Sequence, residues 1–457
     1  MSDYDYAYRG LSRLQADAGR LTMLLETSGG VTPEGPVTHP QLFTGFLTAP
    51  VAAATAFLVV ADVAATRYYR PQLAASLDPV VTANGDRLRI ESFSGCCGVY
   101  ARLDILDDGL DGEVIRHGTT NVDVNSDFRR ALNRVGAATP LHLLVGADEV
   151  AVTTLDGRYV EKQVPLPSRW VRGFAEAQVL ATGLSLRAEV TPADAEAVLR
   201  AAPRPTTRSV IGTTHWVSAT GRGLRPATRT GPGTIGLPGV ERLTTLWPVL
   251  PYADAVRIYA PADGTLGPVA WEARLPGMRL TLMLSPAAAR GFSGEGGVLD
   301  DLATSTATED AALVSALLAW DPTIDVDQLA RMADLPSHRV RAALTTLGTA
   351  GQVGYDLAEQ SHFHRDLPYR PQQVERLNPR LRAARKLVAA GAVTIADGLA
   401  TVGTGKEIHT VRFGAGAGAG AGASGGASCT CLWWAKYQGG RGPCKHVLAA
   451  RITTNSM

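Results

Sequence analysis

Three of the five cysteines in this 457-residue chain are crowded beside a histidine near its C-terminus. One residue separates Cys429 from Cys431, twelve residues follow, and one residue separates Cys444 from His446. Three thiols and an imidazole in one short stretch are a donor set typical of a closed tetrahedral zinc site. Such a stretch is too small for a self-sufficient apolar core, so a bound metal would supply its folding energy.

The cysteines could instead form a disulfide or be unrelated residues of an apolar core. The N-terminal residues MSDYDYAYRG are acidic and polar, which predicts no signal peptide and favours a cytoplasmic location. Thiols stay reduced there, so disulfides are not expected. Three unrelated core cysteines remain an alternative. We interpret Cys429, Cys431, Cys444 and His446 as the ligands of one structural zinc ion.

Local geometry predicts how these four side chains could meet. Alternate residues of a strand share a face, so we expect Cys429 and Cys431 on one strand. On a helix, residues two apart point in nearly opposite directions. We therefore expect Cys444 just before a helix and His446 in its first turn.

The spacing resembles the SWIM zinc-finger family, in which Cys-x-Cys is followed by a variable gap and then Cys-x-His. The resemblance runs from the strand-like segment near residue 409 to the end, with a Gly/Ala-rich insert at 414–427. It implies a small ββα zinc module that binds DNA or proteins and has no catalytic role. It also suggests a bacterial protein whose partners include a MoxR-type AAA ATPase and von Willebrand factor A proteins.

The rest of the chain predicts a multidomain α+β protein. Residues 1–205 mix helical and strand patterns, with a helix expected over 41–66 and strands over 87–106 and 141–164. Residues 206–304 are rich in Gly, Pro and Thr and predict a β-rich section. The sections 305–400 and 401–457 complete the predicted domains.

Three helical segments and a hairpin pattern lie within 308–366. The third helix begins near Pro336, and two short strands follow around the segment HFHRD. This order resembles the winged-helix family. His362, His364 and Asp366 alternate there, which favours polar strand residues over a metal site.

Positive charge is concentrated near the C-terminus. The chain has a net charge of +1, so composition alone gives no argument for nucleic acid or membrane. Residues 369–457 contain twelve basic and three acidic residues, so they carry +9 and the remainder −8. The residues we predict to contact nucleic acid or a protein partner are Arg339, Arg341, Arg382, Trp434, Lys436, Arg441 and Lys445.

Other features have less specific interpretations. Cys96 and Cys97 are flanked by glycines, which favours two small buried strand residues over a vicinal disulfide or reactive thiol. Trp433 and Trp434 are expected on opposite faces of a strand, one packing near Val447 or Leu448. The apolar run 46–65 is interrupted by Pro50 and Asp62, so it predicts a buried helix and no contact with membrane.

No His-Glu-x-x-His or phosphate-binding loop motif occurs in the sequence. We therefore expect a non-catalytic, zinc-binding interaction protein that contacts DNA, RNA or a protein partner. The alternative is an enzyme with an unrecognised active site in the N-terminal half, for which the zinc module serves as a targeting element.

Overall fold

A computed structural model provides the fold. It describes residues 5–8, 10–17, 19–68, 78–136, 140–146, 163–165, 168–202, 214–220, 223–228, 231, 233–287, 291–292, 299, 307–318, 320, 322–367, 379–396, 399–404, 407–413, 427–439 and 442–455. Helices and several separate sheets occur throughout these ranges, so the chain is a multidomain α+β protein.

The strands are named in chain order. They are β1 Asp5–Ala7, β2 Arg13–Asp17, β3 Arg20–Leu25, β4 Thr27–Thr32, β5 Gly35–Val37, β6 Phe43–Leu47, β7 Val80–Ala83, β8 Leu88–Phe93, β9 Val99–Ile105, β10 Leu110–Val114, β11 Gly118–Val122, β12 Leu141–Val145, β13 Gln163–Pro165, β14 Leu184–Val190, β15 Thr214–Thr220, β16 Gly223–Pro226, β17 Thr234–Pro238, β18 Ala255–Pro261, β19 Val269–Leu275, β20 Met278–Leu284, β21 Val353–Asp356, β22 Ser361–His364, β23 Val393–Ala396, β24 Leu399–Thr404, β25 Glu407–Phe413 and β26 Ala427–Cys429.

The helices are also named in chain order. They are α1 Pro50–Ala65, α2 Ser126–Leu132, α3 Ser168–Thr182, α4 Pro192–Ala201, α5 Ala307–Leu317, α6 Val326–Ala333, α7 Ser337–Thr349, α8 Pro379–Ala389, α9 Leu432–Tyr437 and α10 Lys445–Asn455, with 3₁₀ helices at Asp107–Gly109 and Val240–Tyr252. None of these described helices is long and apolar enough to cross a membrane.

A ten-stranded sheet dominates the N-terminal and middle parts, in the order β14-β18-β19-β20-β9-β8-β7-β11-β4-β5. One of its faces is apolar. Ile90, Leu103 and Leu280 from three adjacent strands share a core with α1 and the 3₁₀ helix Val240–Tyr252. Strands from both sides of residue 205 pair within this sheet, so the predicted sections 1–205 and 206–304 do not form separate sheets.

Side chains alternate along each strand, so the residues between these apolar ones point to the opposite face of the sheet. That face is charged. Arg89, Asp104 and Arg279 lie opposite one another across β8, β9 and β20. Glu91 and Arg102 form the next row. Four of these five side chains are at most 1 % exposed, and Arg279 is 9 % exposed.

The hairpin of β21 and β22 covers this charged face. The Asp356 carboxylate lies 3.3 Å from Arg89, 3.1 Å from Arg102 and 2.9 Å from Arg279. Arg365, just after β22, donates to both carboxylate oxygens of Glu91 at 2.6 and 2.5 Å. The hairpin is therefore joined to the sheet by buried ion pairs.

The three helices α5, α6 and α7 and the hairpin match the elements predicted within 308–366. Asp325 caps α6, since its side chain accepts from the backbone of Asp327 and Gln328 at 2.9 Å. His362 and His364 are buried, and no metal-binding group of the described residues includes them.

Several local predictions are wrong. The segment expected to be helical over 41–66 contains strand β6 before α1, because its first part alternates buried and half-buried residues. Asn125 caps α2, since its side chain accepts from the backbone N–H groups of Asp127 and Phe128. Within the predicted strand segment 141–164, residues 147–162 lie outside the described residues.

Cys96 and Cys97 are buried and form no disulfide, but they lie in the turn between β8 and β9 rather than on a strand. Cys97 has a φ of 56°, a left-handed conformation that suits a turn.

Candidate metal centre

The predicted ligands come together at the end of a four-stranded sheet in the order β23-β24-β25-β26. β26 pairs with β25 so that Cys429 lies opposite Val411. Most of the Gly/Ala-rich insert, residues 414–426, lies outside the described residues. The strand pairing on either side of the insert places Cys429 in the core.

Cys431 does not continue the strand, and the prediction that it shares a strand face with Cys429 is wrong. It is the N-cap of α9, and its Sγ accepts from the backbone N–H of Trp434 at 3.4 Å. Trp433 and Trp434 therefore lie on a helix, and the prediction that they alternate on a strand is also wrong. Both are half-buried.

The second pair of ligands follows the prediction. Cys444 immediately precedes α10, and His446 lies in the first turn of that helix. The Cys444 Sγ accepts from the backbone N–H of Val447 at 3.4 Å, which fixes the thiol at the start of the helix.

The four ligand atoms lie within 4.8 Å of one another. The Nδ1 atom of His446 is 3.8 Å from the Sγ of Cys429 and 4.0 Å from that of Cys444. A tetrahedral zinc ion with ordinary bond lengths requires sulfur–nitrogen separations of about 3.6 Å. The arrangement fits one zinc ion bound by three sulfurs and Nδ1.

The electrostatics of the cluster favour a bound cation. A hydrogen bond from the Cys429 thiol lowers the pKa of Cys444 to about 4. That same hydrogen bond raises the pKa of Cys429, while burial raises that of Cys431. Three adjacent buried thiols therefore cannot all ionise unless a cation neutralises them.

Sequence reasoning missed two parts of this centre. His409 on β25 lies against the His446 ring, with 4.2 Å between ring centroids. Leu381 and Ala384 of α8 are buried in the same core as Cys429, Cys431 and Cys444. The apolar spacing of α8 was visible in the sequence, but the core that it joins was not.

The core therefore extends well before the segment predicted at 401–457. Residues of α8, β24, β25, β26 and α10 share it, and we refer to residues 379–455 as the zinc module.

The predicted contact residues have different surroundings. Arg339 is engaged by Asp310, which accepts from its Nε at 2.7 Å and its Nη2 at 2.5 Å. Arg341 is exposed on α7. In the zinc module, Arg382, Lys436 and Lys445 are exposed. Arg441 lies outside the described residues.

Comparison with known proteins supports the identity of this centre. Residues 409–454 match the family model described as SWIM zinc finger. The chain therefore contains a SWIM zinc finger whose Cys/Cys/Cys/His cluster fits one zinc ion. No curated protein matches the chain.

Two solved structures are similar over part of the chain. One is the Proliferating Cellular Nuclear Antigen from Entamoeba histolytica, with 10% identity and a TM-score of 0.33 over 53% of this chain and 98% of that one. The other is a PCNA2-PCNA3 complex from Sulfolobus tokodaii, with 10% identity and a TM-score of 0.33 over 54% of this chain and 99% of that one. Similarity at this level supports no inference about function.

Proposed function

We propose that the zinc module binds nucleic acid and that the chain is a non-catalytic interaction protein. One observation supports this most strongly. Among the described residues of the module, the only acidic side chain is Glu407. The exposed basic side chains of the module are Arg382, Arg385, Lys386, Arg412, Lys436 and Lys445.

An excess of exposed cations on a small module favours a polyanion as the ligand. Each lysine or arginine that neutralises a phosphate releases a condensed counterion, so affinity depends on salt. Such contacts position a protein on a nucleic acid without reading its sequence. Because zinc organises the core beneath these side chains, binding should require the metal.

Helix α7 is the second proposed contact element, on the strength of the winged-helix resemblance. Arg341 and His338 are exposed on it. Arg339 is the weaker candidate, because its guanidinium is already paired with Asp310. The hairpin after α7 is covered by the sheet, so we propose that the helix rather than the hairpin faces the ligand.

The test is fluorescence anisotropy of a labelled DNA duplex with the zinc-loaded full-length chain at a series of salt concentrations. If about four phosphates are neutralised, the slope of log affinity against log salt should be roughly −3 to −4. The double variant Arg382→Glu and Lys445→Glu should weaken binding to all sequences alike.

A matched control makes the same charge change elsewhere. Arg130 and Arg200 are exposed on α2 and α4, with side chains 73% and 66% exposed. Replacing both by Glu should leave binding close to that of the wild type. Equal losses in the two double variants would show that only the overall charge matters.

A zinc-loaded wild type that binds neither DNA nor RNA at low salt would overturn the proposal. The basic surface would then favour an acidic protein partner. Co-purification from a cytoplasmic extract with a MoxR-type AAA ATPase or a von Willebrand factor A protein would support that alternative.

A further inference from the structure

The most exposed large apolar side chain among the described residues is Leu432, at 89%. It is the first residue of α9, immediately after the ligand Cys431. A single exposed leucine is ordinary on a protein surface. The position of Leu432 is unusual, because it lies directly beside a metal ligand and on the same short helix as the exposed Lys436.

The zinc ligand holds Leu432 in place. Cys431 is the N-cap of α9, and its Sγ accepts from the backbone N–H of Trp434 at 3.4 Å. A bound zinc ion would fix the same sulfur from its other side. Leu432 is therefore presented on a short, anchored turn, so its contact with a ligand would cost little conformational entropy.

Cationic side chains lie on this turn and on the segments next to it in the zinc module. The Arg380 guanidinium lies 4.7 Å from the centre of the Trp433 ring and donates to the Pro443 carbonyl at 3.0 Å. That contact joins α8, α9 and the segment before α10 at one edge of the module. Lys436, one helical turn after Leu432, and Lys445, at the start of α10, are both exposed.

We infer that Leu432 is an apolar wedge that enters between the bases of a nucleic acid held by the basic surface. This inference rests on the proposed function. Proteins that grip a phosphate backbone with Lys and Arg also insert leucine and similar side chains between base steps, and partly unstack them. The phosphates fit the exposed Lys436 and Lys445 of the same module, and the stacked bases offer the apolar contact that Leu432 lacks in the free protein.

The test compares Leu432→Ala with the wild type, both zinc-loaded and full length. The probe is a DNA duplex that carries 2-aminopurine, whose fluorescence rises when its stacking is lost. We expect the wild type to increase this fluorescence and Leu432→Ala to lose the increase. Affinity should fall about tenfold or more, as for a leucine that leaves an apolar contact.

The salt dependence separates the wedge from the phosphate contacts. Leu432→Ala should keep the wild-type slope, since it removes no charge. Lys436→Ala should make the slope shallower by about 0.9 and keep the fluorescence increase. Leu313→Ala is the matched control, because Leu313 is 43% exposed on α5, outside the zinc module. Native mass spectrometry should show one zinc in each variant.

The outcomes distinguish this inference from the proposed function. If the wild type binds DNA and Leu432→Ala behaves like Leu313→Ala, the wedge is overturned and the proposed function stands. If the zinc-loaded wild type binds no nucleic acid, both are overturned, and Leu432 becomes a candidate contact for a protein partner.

Discussion

Arginine has opposite surroundings in two regions of this molecule. On the charged face of the ten-stranded sheet, Arg89, Arg102 and Arg279 are buried and converge on Asp356. In the zinc module, Arg382 and Arg385 are exposed, and the described residues include only one acid, Glu407. The near-zero net charge of the chain conceals this difference. Charge in the sheet is matched for structure, whereas the proposed function assigns the exposed charge of the module to a ligand.

The source of stability differs in the same way. The sheet has a large apolar core on its other face, so its charges are held within an extensive fold. The module has a small core in which three of the buried residues are the cysteine ligands. Removing one zinc ligand should therefore be decisive for the module alone.

The largest expected effect is that of Cys444→Ser. We expect it to lose the zinc ion and to unfold the module, because metal binding supplies about 10 kcal/mol or more of folding energy in small zinc domains. The ten-stranded sheet should melt as in the wild type. Native mass spectrometry and limited proteolysis would check this.

Cys96→Ser is the control for that variant, since Cys96 is buried but does not belong to the ligand cluster, and the variant should keep one zinc per chain. A Cys444→Ser protein with a protease-resistant C-terminus would contradict the assignment.

The ligands could be predicted from sequence because their chemistry is local. Cys444 and His446 are two residues apart, and the helix pattern after them fixes which turn each occupies. The element that holds Cys431 does not follow from the spacing, because a strand and a helix cap can both turn its thiol toward the metal.

The charged sheet face could not be predicted. Arg89 and Asp356 are 267 residues apart, and no local pattern links two polar residues across that distance. The strands around 87–106 were recognisable from sequence, but which element covers their charged face depends on the tertiary fold.

The second prediction concerns Asp356→Asn on the sheet face. Burial alone would raise the pKa of Asp356, but Arg102, Arg279 and Arg89 lower it overall. Asp356→Asn leaves the buried guanidinium groups without their charged carboxylate partner, which should cost about 3–5 kcal/mol of unfolding free energy. Denaturant unfolding followed by tryptophan fluorescence would measure this.

Asp127→Asn provides a matched change in an exposed ion pair. The Asp127 side chain is 78% exposed, and that of its partner Arg130 is 73% exposed. It should change stability by less than about 1 kcal/mol. Equal losses for the two variants would remove the distinction between buried and exposed charges.

The third prediction concerns pH. Burial raises the pKa of Glu272 on β19 to about 7, above its ordinary value of 4.5. The folded state therefore favours the protonated carboxyl, and stability is lost as pH rises from about 4.5 through 7. Glu272→Gln should remove this loss and raise the unfolding free energy at pH 8 by up to about 3 kcal/mol.

The control is Glu189→Gln, since Glu189 is more exposed and pairs with Arg257, the residue that also approaches Glu272. It should not give the same gain at pH 8. A Glu272→Gln protein whose stability has the wild-type pH dependence between 5 and 8 would show that Glu272 does not titrate there.

The smallest expected effect distinguishes structural from ligand-binding arginines within the predicted contact set. Arg339→Ala removes the partner of the buried Asp310 carboxylate and should therefore lower the unfolding free energy. It should leave the salt slope of DNA binding unchanged. Arg341→Ala should do the reverse, with a shallower slope and unchanged stability. A shallower slope for Arg339→Ala would mean that its pair with Asp310 opens for phosphate.

Hydrogen exchange of the full-length chain, with and without zinc, tests the central contrast most directly. Zinc removal by a strong chelator should abolish protection of backbone amides in α8, β24, β25 and α10 and leave β8, β9, β19 and β20 protected. Readdition of zinc should restore the protection. The account would be contradicted if the module stayed protected after zinc removal. It would also be contradicted if zinc removal abolished the protection of the sheet.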